Sequence, residues 1–519
     1  ESSTTPVGIT GWDLSFVTPS SSPPSNPIEC TLQDVFLDNT SSVTFPSTFS
    51  GDLITFYSSS SPYTVESAFS SISSLTVEGD ITISSDLSAS FLSVDSGTVL
   101  LTGSLSNSNQ FILSAGSLTL SGTSSSGSSS AAIYGGTFTT NSSLIDYVVL
   151  GDGASQNGTV TFVSGIDQNF SSTSFNLQSP LAVITANDSS TITVSNMNFI
   201  PPNATSSEEA TSSLTLNGTG SFIIEEISFS GALANNLYQN TATLSLTGVL
   251  SGSSGLTILN PSVSEFSNNE QVIFVLNYNS ISTYTGPTNI GQSSLSVTPS
   301  SGYVTLQIAD GAQIGDSNDI VTIYPYATMS IASGGNVLAS SVSISTNGLL
   351  TGCGTVNSSS VTNYGGVASG CSPSPLQIIG NFHSASGSYI APYVDSSAIA
   401  TLIVSGNSVL EAEVTLELEP QNEWYPDTLQ LDVLNSGTLT GTFSNVEIGT
   451  YFLTPTLSYS SSNVTLTLHR NSFTQLTHGA NALAVASALD SIDGSNTARF
   501  VLSETFHLSL NEISNSLNS

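Results

Sequence analysis

Apolar and polar residues alternate along most of this chain in short runs. From about residue 52, pairs of apolar residues flanking one polar residue recur at irregular intervals, and Gly, Ser, Asn or Asp separate the runs. A period of two is typical of a β-strand with one buried face. The clearest pairs are Leu75 and Val77, Ile81 and Ile83, Leu92 and Val94, Val99 and Leu101, Phe111 and Leu113, Leu118 and Leu120, Val160 and Phe162, Leu214 and Leu216, and Leu244 and Leu246.

Many short strands without intervening helices are compatible with three architectures: a series of sandwiches, a propeller and a parallel β-solenoid. Asn-Gly and Asp-Gly hairpin loops are sparse and loop lengths vary, which favours the solenoid. We therefore predict an all-β fold, a single-stranded right-handed parallel β-helix, followed by a short α-helical C-terminal linker. A low-complexity stalk is the alternative, but the apolar alternation persists through the Ser-rich segments.

The charge distribution restricts the partners of this protein. The chain has 37 Asp and Glu, only two Lys and Arg, and a net charge of −35. Both cations, Arg470 and Arg499, lie near the end, so the body cannot neutralise nucleic-acid phosphates or anionic lipid headgroups. We expect no nucleic-acid partner, and we expect carboxylates that are solvated, protonated or bound to cations.

One segment carries a specific motif. Residues 283–291 read Thr283-Tyr284-Thr285-Gly286-Pro287-Thr288-Asn289-Ile290-Gly291, and Ser294-Leu295-Ser296-Val297 follow. This stretch resembles the passenger-associated transport repeat of bacterial autotransporters, which are type V secretion proteins. In that family the repeat forms one coil of a parallel β-helix. The motif residues here are Tyr284, Thr285, Gly286 and Thr288.

Further segments resemble the same family in the same order. Glycine-rich stretches at 348–356 and 364–373 are similar to its glycine-rich coil. Parts of 378–468 resemble the C-terminal folding nucleus, or autochaperone, and parts of 481–506 resemble the helical linker to its translocator barrel. Two short elements are similar to repeats of chlamydial polymorphic membrane proteins, namely Gly135-Gly136-Thr137-Phe138-Thr139-Thr140-Asn141 and Phe266-Ser267-Asn268-Asn269.

The resemblance and the pattern together divide the chain into four predicted segments. They are an N-terminal cap or lead-in at 1–50, a β-helical passenger at 51–380, an autochaperone-like β-helix cap at 381–470, and a helical linker at 471–519 toward a barrel that this chain lacks. No signal sequence precedes Glu1, which is consistent with a mature chain. The resemblance implies display at the bacterial cell surface or outer membrane, or release to the exterior.

The three cysteines exclude a disulfide-dense scaffold and a multi-cysteine metal site. Cys353 and Cys371 are separated by about one coil, so we predict a disulfide between adjacent rungs, which an oxidising exterior permits. Two buried free thiols are the alternative. Cys30 is then the odd cysteine.

Four acidic residues alternate with apolar ones, and we expect them to form an outward-facing acidic ladder on one strand: Glu411, Glu413, Glu417 and Glu419. A glycosidase needs two carboxylates at a defined spacing in a cleft, one of them with a raised pKa. A solvated acidic face is the simpler interpretation, and binding of a divalent cation such as calcium across neighbouring rungs is the alternative. We predict no catalytic, cofactor or metal-binding residues.

Histidine placement argues against an enzyme. The four histidines are His383, His469, His478 and His507, so the first 382 residues hold no Ser-His-Asp site. Gly315-Asp316-Ser317 resembles the nucleophile block of a lipase family, but those enzymes place it near the chain start. The body also lacks the Lys or Arg that β-helical polysaccharide lyases use.

We therefore predict a non-enzymatic adhesin or self-association protein. Its expected partners are copies of itself, a host-surface protein or glycan, and the outer-membrane barrel of its own precursor. Two alternatives stay open: a structural subunit of an extracellular filament or surface coat, and a carbohydrate-active β-helix enzyme with two or three carboxylates in a groove.

Overall fold

A computed structural model gives the fold of this chain. It divides the chain into two compact units, Glu1–Ser254 with Ser264–Val272, and Gly255–Val263 with Ile273–Ser519. The residues that it describes are 35–37, 53–58, 63–65, 69–84, 86–103, 105–106, 110–122, 124–125, 129–140, 145–151, 159–170, 175–179, 181–187, 190–200, 210–219, 221–229, 241–260, 273–292, 303–370, 374–492 and 495–518.

In the described residues the first unit consists of short strands. Their bounds are β1 Val35–Leu37, β2 Leu53–Ser58, β3 Tyr63–Val65, β4 Phe69–Glu78, β5 Ile81–Ile83, β6 Leu87–Ser96, β7 Thr98–Leu101, β8 Leu105–Ser106, β9 Gln110–Leu113, β10 Ser117–Leu120, β11 Ser124–Ser125, β12 Ser129–Ile133, β13 Gly136–Thr140, β14 Ile145–Leu150, β15 Val160–Ser164, β16 Gln168–Phe170, β17 Phe175–Leu177, β18 Leu181–Ala186, β19 Thr191–Val194, β20 Met197–Phe199, β21 Ala210–Gly218, β22 Ser221–Ile224, β23 Glu226–Phe229 and β24 Thr241–Thr247.

The described part of the second unit continues with strands and ends in helices. The strands are β25 Leu256–Ile258, β26 Ile273–Tyr278, β27 Thr288–Ile290, β28 Tyr303–Ile308, β29 Gln313–Ile314, β30 Ile320–Ile323, β31 Ala327–Ile331, β32 Asn336–Ile344, β33 Leu349–Gly352, β34 Thr355–Asn363, β35 Gly366–Ser369, β36 Leu376–Ser384, β37 Tyr389–Ile390, β38 Tyr393–Val394, β39 Leu402–Val404, β40 Asn407–Leu410, β41 Thr415–Pro420, β42 Thr428–Asn435, β43 Thr438–Thr440, β44 Asn445–Ile448, β45 Leu453–Tyr459 and β46 Asn463–Arg470. A 3₁₀ turn at Phe473–Gln475 precedes helices α1 Ala480–Ser491, α2 Asn496–Thr505 and α3 Leu510–Asn518.

Strands from successive coils pair in parallel and in register, so the fold is an all-β parallel β-helix, as predicted. In the first unit, pairing sets Ile81, Val99, Leu118, Phe138 and Phe162 side by side from coil to coil. All nine apolar pairs predicted from the alternation are buried. The period of two therefore identified the inward face correctly, because each inward side chain stacks on its counterpart one coil away.

Aromatic rings fill part of the interior of the first unit. The rings of Phe138 and Phe162 lie nearly parallel with centroids 5.9 Å apart. Phe111 packs against Phe138 at 5.9 Å, and Phe170 and Phe175 meet edge to face at 5.4 Å. These are the separations expected of favourable aromatic contacts, so these five phenylalanines pack together in the core.

A corner glycine shows how closely the coils approach one another. Gly352 ends β33 with a φ of 118°, which L side chains rarely adopt. A Cβ atom at this position would lie 2.1 Å from the carbonyl oxygen of Ile331 in the preceding coil. The glycine-rich stretch at 348–356 is therefore required by backbone geometry at this corner.

The parallel stacking ends in an antiparallel arrangement. β46 pairs antiparallel with β42 and with β45, so the last strands form a hairpin across the final coil. β46 ends at Arg470, whose guanidinium carbon lies 4.4 Å from the centroid of the Trp424 ring and whose nitrogen pairs with Asp427. The first cation of the chain therefore lies where the strands end.

The helices after β46 pack against this last coil. Phe506, which follows α2, is 1% exposed and stacks between Tyr425 and Phe452, with centroids 6.2 Å from each ring. The hydroxyl of Thr450 donates to the main-chain oxygen of Phe506 at 2.6 Å. Asp490 of α1 accepts hydrogen bonds from the main-chain N–H groups of the 3₁₀ turn. We call residues 473–518 the helical cap.

The described residues cover parts of all four predicted segments. Of the predicted lead-in at 1–50, only Val35–Leu37 is described, and it pairs in parallel with β2. The division into two units falls inside the predicted passenger segment at 51–380. Helices are present in 471–518 as predicted, and they pack on the β-helix as a cap. Within the described residues no helix is both long and apolar enough to cross a membrane.

Candidate functional site

The predicted acidic ladder on a single strand is wrong. Glu411 and Glu413 lie in the turn between β40 and β41, whereas Glu417 and Glu419 lie on β41. The chain turns because Glu413 adopts a φ of 65°, a left-handed conformation that breaks the strand alternation. The four carboxylates therefore form two pairs in different surroundings.

The first pair binds the turn of the preceding coil. The carboxylate of Glu411 accepts hydrogen bonds from Nε2 of His383 at 2.8 Å and from the N–H of Ser386 at 2.9 Å. Glu413 accepts one from the hydroxyl of Ser386 at 2.9 Å. The hydrogen bond from Ser386 and the contact with His383 lower the pKa of Glu411, since both favour the carboxylate form.

In the second pair, the pKa of Glu417 shifts in the opposite direction. Glu417 stands beside Glu447 of the next coil, because β41 and β44 pair in that register. Partial burial raises the pKa of Glu417, and the neighbouring carboxylates of Glu447 and Glu419 raise it further. Among the described residues no group of three or more His, Cys, Asp or Glu could hold a metal ion.

The pKa of Glu411 is lowered and that of Glu417 is raised. Replacing each glutamate with neutral glutamine should therefore change the stability at pH 7 in opposite directions. Glu417→Gln is expected to raise the melting temperature because it relieves repulsion, and Glu411→Gln is expected to lower it because it weakens two hydrogen bonds. Each change is on the order of 1 °C, since partly exposed charges contribute little. Parallel thermal melts of the two variants provide the check, and shifts of the same sign would contradict it. The gain from Glu417→Gln should vanish below about pH 4, where the native glutamate is also neutral.

The repeat motif lies in the core rather than on the surface. Tyr284 is 2% exposed and Thr288 is fully buried, whereas Thr285 is exposed and Gly286 is buried between them. The hydroxyl of Tyr284 lies 2.7 Å from Oγ1 of Thr288, which in turn donates to Oδ2 of Asp319 at 2.8 Å. The motif therefore builds a buried polar network that links β27 to the residue before β30.

Asp319 is a site that the sequence analysis missed. Its side chain is 1% exposed, and its Oδ1 atom has no hydrogen-bond partner among the described residues. Burial raises the pKa of Asp319 to about 6, although the hydrogen bond from Thr288 lowers it. The nearby Gly315-Asp316-Ser317 block drew attention to this loop, and its Asp316 is a turn residue that accepts hydrogen bonds from the N–H groups of Asn318 and Asp319.

Outward positions of the second unit form a polar column. Register places one residue per coil at matching positions on β25, β27, β30, β32, β34 and β36. We call this set the outward column: Thr257, Asn289, Thr322, Ser343, Thr362 and His383. Hydroxyl and amide groups, followed by the imidazole of His383, thus repeat at the strand spacing of about 4.8 Å, with no carboxylate among the six.

The first unit has a shorter column of the same kind. Asn176, Asn198 and Ser228 occupy matching positions on β17, β20 and β23. Nδ2 of Asn198 donates to Oδ1 of Asn176 at 3.2 Å. Short polar side chains at matched outward positions are therefore a feature of both units.

Only one of the three cysteines is among the described residues. Cys353 is 8% exposed and forms a disulfide bond. Its predicted partner Cys371 and the odd cysteine Cys30 lie outside the described residues, so the pairing stays a prediction.

No protein-family model matches this chain, and no curated protein matches it.

Proposed function

We propose that this chain is the surface-displayed or released passenger of an autotransporter-like protein, acting as a non-enzymatic adhesin that associates with copies of itself. The outward column is the observation that carries this proposal. A solenoid repeats the same short donor and acceptor groups at every coil, so it offers many weak and equivalent contacts to another surface. Adhesion by many weak contacts needs no cleft and no catalytic group.

Three features of the second unit support the proposed relationship to autotransporter passengers. Tyr284 precedes β27 and Thr288 begins it, and the passenger-associated repeat implies a coil of a parallel β-helix at this place. A hairpin of β45 and β46 closes the β-helix in the segment that resembles the autochaperone. Helices follow it, as they do before the translocator barrel of that family. Placement at the bacterial surface and a barrel in the precursor are parts of the same proposal.

The strong negative charge makes the proposed association dependent on solution conditions. Two copies at −35 repel each other, and protonating or binding their carboxylates lowers this repulsion. Acid and divalent cations should therefore promote association, while the polar contacts themselves remain.

Microspheres coated with the purified chain provide the test. We expect them to cluster, and we expect clustering to increase as the pH falls from 7 toward 4 and as calcium is added at pH 7. Microspheres coated with an unrelated acidic protein of similar net charge are the control for non-specific aggregation. Coated spheres that neither cluster nor bind to cells would contradict the proposed function, and clustering indifferent to pH and calcium would contradict its dependence on charge.

A further inference from the structure

One long stretch of this chain contains no charged residue. From Ile320 to Val394 the sequence contains no Asp, Glu, Lys or Arg, although the whole chain carries 37 carboxylates. His383 is the one histidine in this stretch. A stretch of this length spans several coils, so an uncharged zone interrupts the acidic surface of the second unit.

Eight residues of this stretch form two columns on one face of a sheet. The first is the part of the outward column formed by Thr322, Ser343, Thr362 and His383 on β30, β32, β34 and β36. Two residues earlier on the same strands, register aligns a second column: Ile320, Ser341, Ser360 and Asn381. All eight are at least partly exposed. We call these two columns the uncharged face.

Apolar side chains accompany the polar columns. Ile320 is 52% exposed, Ile379 of β36 is 46% exposed, and Tyr364, which follows β34, is 49% exposed. All three lie within the uncharged stretch. Partly exposed isoleucine and tyrosine side chains beside neutral hydrogen-bonding groups are typical of the centre of an interface, where charged residues are depleted.

We propose that copies of this chain pair through the uncharged face, in a two-fold arrangement with their strands antiparallel. This inference rests on the proposed self-association and assigns it to one surface. A two-fold pair uses the same patch on both partners, so each side chain of one copy meets a side chain of the other. Six of the eight side chains, all except Ile320 and His383, carry hydroxyl or amide groups. These groups both donate and accept hydrogen bonds, so the same groups on two copies can bind one another.

Two physical reasons favour a second copy as the occupant. First, a second copy has the same spacing between coils, so its columns stay in step with these over all four strands. Second, charge repulsion between two copies is weakest where carboxylates are fewest. This face lies in the longest stretch of the chain without a carboxylate, and Glu411 contacts it at His383. A neutral polysaccharide is the competing occupant.

The inference is tested by placing charge on the face. The double substitution Ser360→Asp and Thr362→Asp puts carboxylates on adjacent outward positions of β34, where they face those of the partner. Thr305→Asp with Thr328→Asp is the matched control, because these residues are partly exposed neighbours on β28 and β31 and the added charge is the same. Sedimentation equilibrium of the whole chain gives the dimer dissociation constant, and circular dichroism verifies folding.

We expect the Ser360 and Thr362 variant to raise the dissociation constant roughly tenfold or more, and the control to change it by less than about threefold. A lysine variant distinguishes a lost interface from a misfolded chain. Ser360→Lys with Thr362→Lys should pair poorly with itself, but should form a mixed dimer with the aspartate variant, because opposite charges then meet across the two-fold axis.

The outcomes separate this inference from the proposed function. If the aspartate variant dimerises as tightly as the unmodified chain, the uncharged face is not the interface, although self-association stands. If the unmodified chain stays monomeric but binds a neutral polysaccharide, pairing of copies is overturned and an adhesive function remains. If it stays monomeric and coated microspheres bind nothing, both proposals fail.

Discussion

Replacing Phe506 with alanine is expected to lower the free energy of unfolding of the C-terminal coil by about 3 to 5 kcal/mol. Phe506 is 1% exposed and stacks between Tyr425 and Phe452, so its removal leaves a cavity between the helical cap and the last coil. The interior packs too densely to collapse fully around such a cavity, which adds to the lost burial of the ring.

The chain offers a matched control and a local probe for this prediction. Phe500 lies on α2 and is 65% exposed, so Phe500→Ala should change the unfolding free energy by less than about 1 kcal/mol. Trp424 adjoins Tyr425, and Trp12→Phe leaves it as the single tryptophan. Guanidinium unfolding followed by Trp424 fluorescence compares the two variants. Equal effects of the two substitutions would mean that the helices do not pack on the last coil as described.

Replacing Asp319 with asparagine is expected to abolish a pH-dependent part of the stability of the second unit. The folded pKa of Asp319 is about 6, whereas an unfolded aspartate has a pKa of about 3.9. Between these values the folded chain binds the proton more readily than the unfolded chain does. Stability therefore falls as the pH rises from about 4 to 6, by about 2 to 3 kcal/mol in total.

Asparagine keeps the shape of the side chain but carries no charge at any pH. The variant should lose the decrease between pH 4 and 6 and be the more stable chain at pH 7. Burial raises the pKa of Tyr284, so this residue stays protonated throughout this window. Asp316 is present in both chains, so the comparison isolates Asp319. Hydrogen exchange of peptides from β28 to β31, compared between the two chains at each pH, measures the difference. An unchanged pH dependence in the variant would show that Asp319 is not its source.

The fold was predictable because its signal is local and repeated. Each coil buries alternate residues, so pairs such as Leu118 and Leu120 identify an inward face without knowledge of their neighbours. Corner glycines such as Gly352 add a second local signal, since only glycine fits there. The solenoid was favoured over a sandwich or a propeller because hairpin loops are sparse and loop lengths are irregular.

The candidate sites were harder to predict because they depend on contacts between coils. Alternation alone placed Glu411 and Glu413 on a strand, and it could not register the left-handed turn at Glu413. The partnership of Thr288 with Asp319 joins two coils that are distant in sequence. A buried aspartate before an apolar strand looks in sequence like any solvated loop residue.

The helical cap shows a third limit of sequence reasoning. Helix α1 is rich in alanine and resembles a linker, but single residues hold the helices on the last coil. Phe506, which follows α2, stacks on Phe452, and Asp490 of α1 accepts hydrogen bonds from the 3₁₀ turn. The position of the first arginine predicted the end of the β-helix better. Arg470 ends β46 with its guanidinium over Trp424, so the first cation of the chain lies at the end of the β-helix.

Sedimentation equilibrium of the unmodified chain, across a concentration series at low and at moderate salt, is the most direct test of association between copies. The average mass should rise from monomer toward dimer with concentration. The dimer should tighten as salt increases, because screening reduces the repulsion between two bodies of charge −35 while neutral hydrogen bonds are little affected. A monomeric mass at every concentration and at both salt levels would contradict the proposal that this β-helix associates with itself.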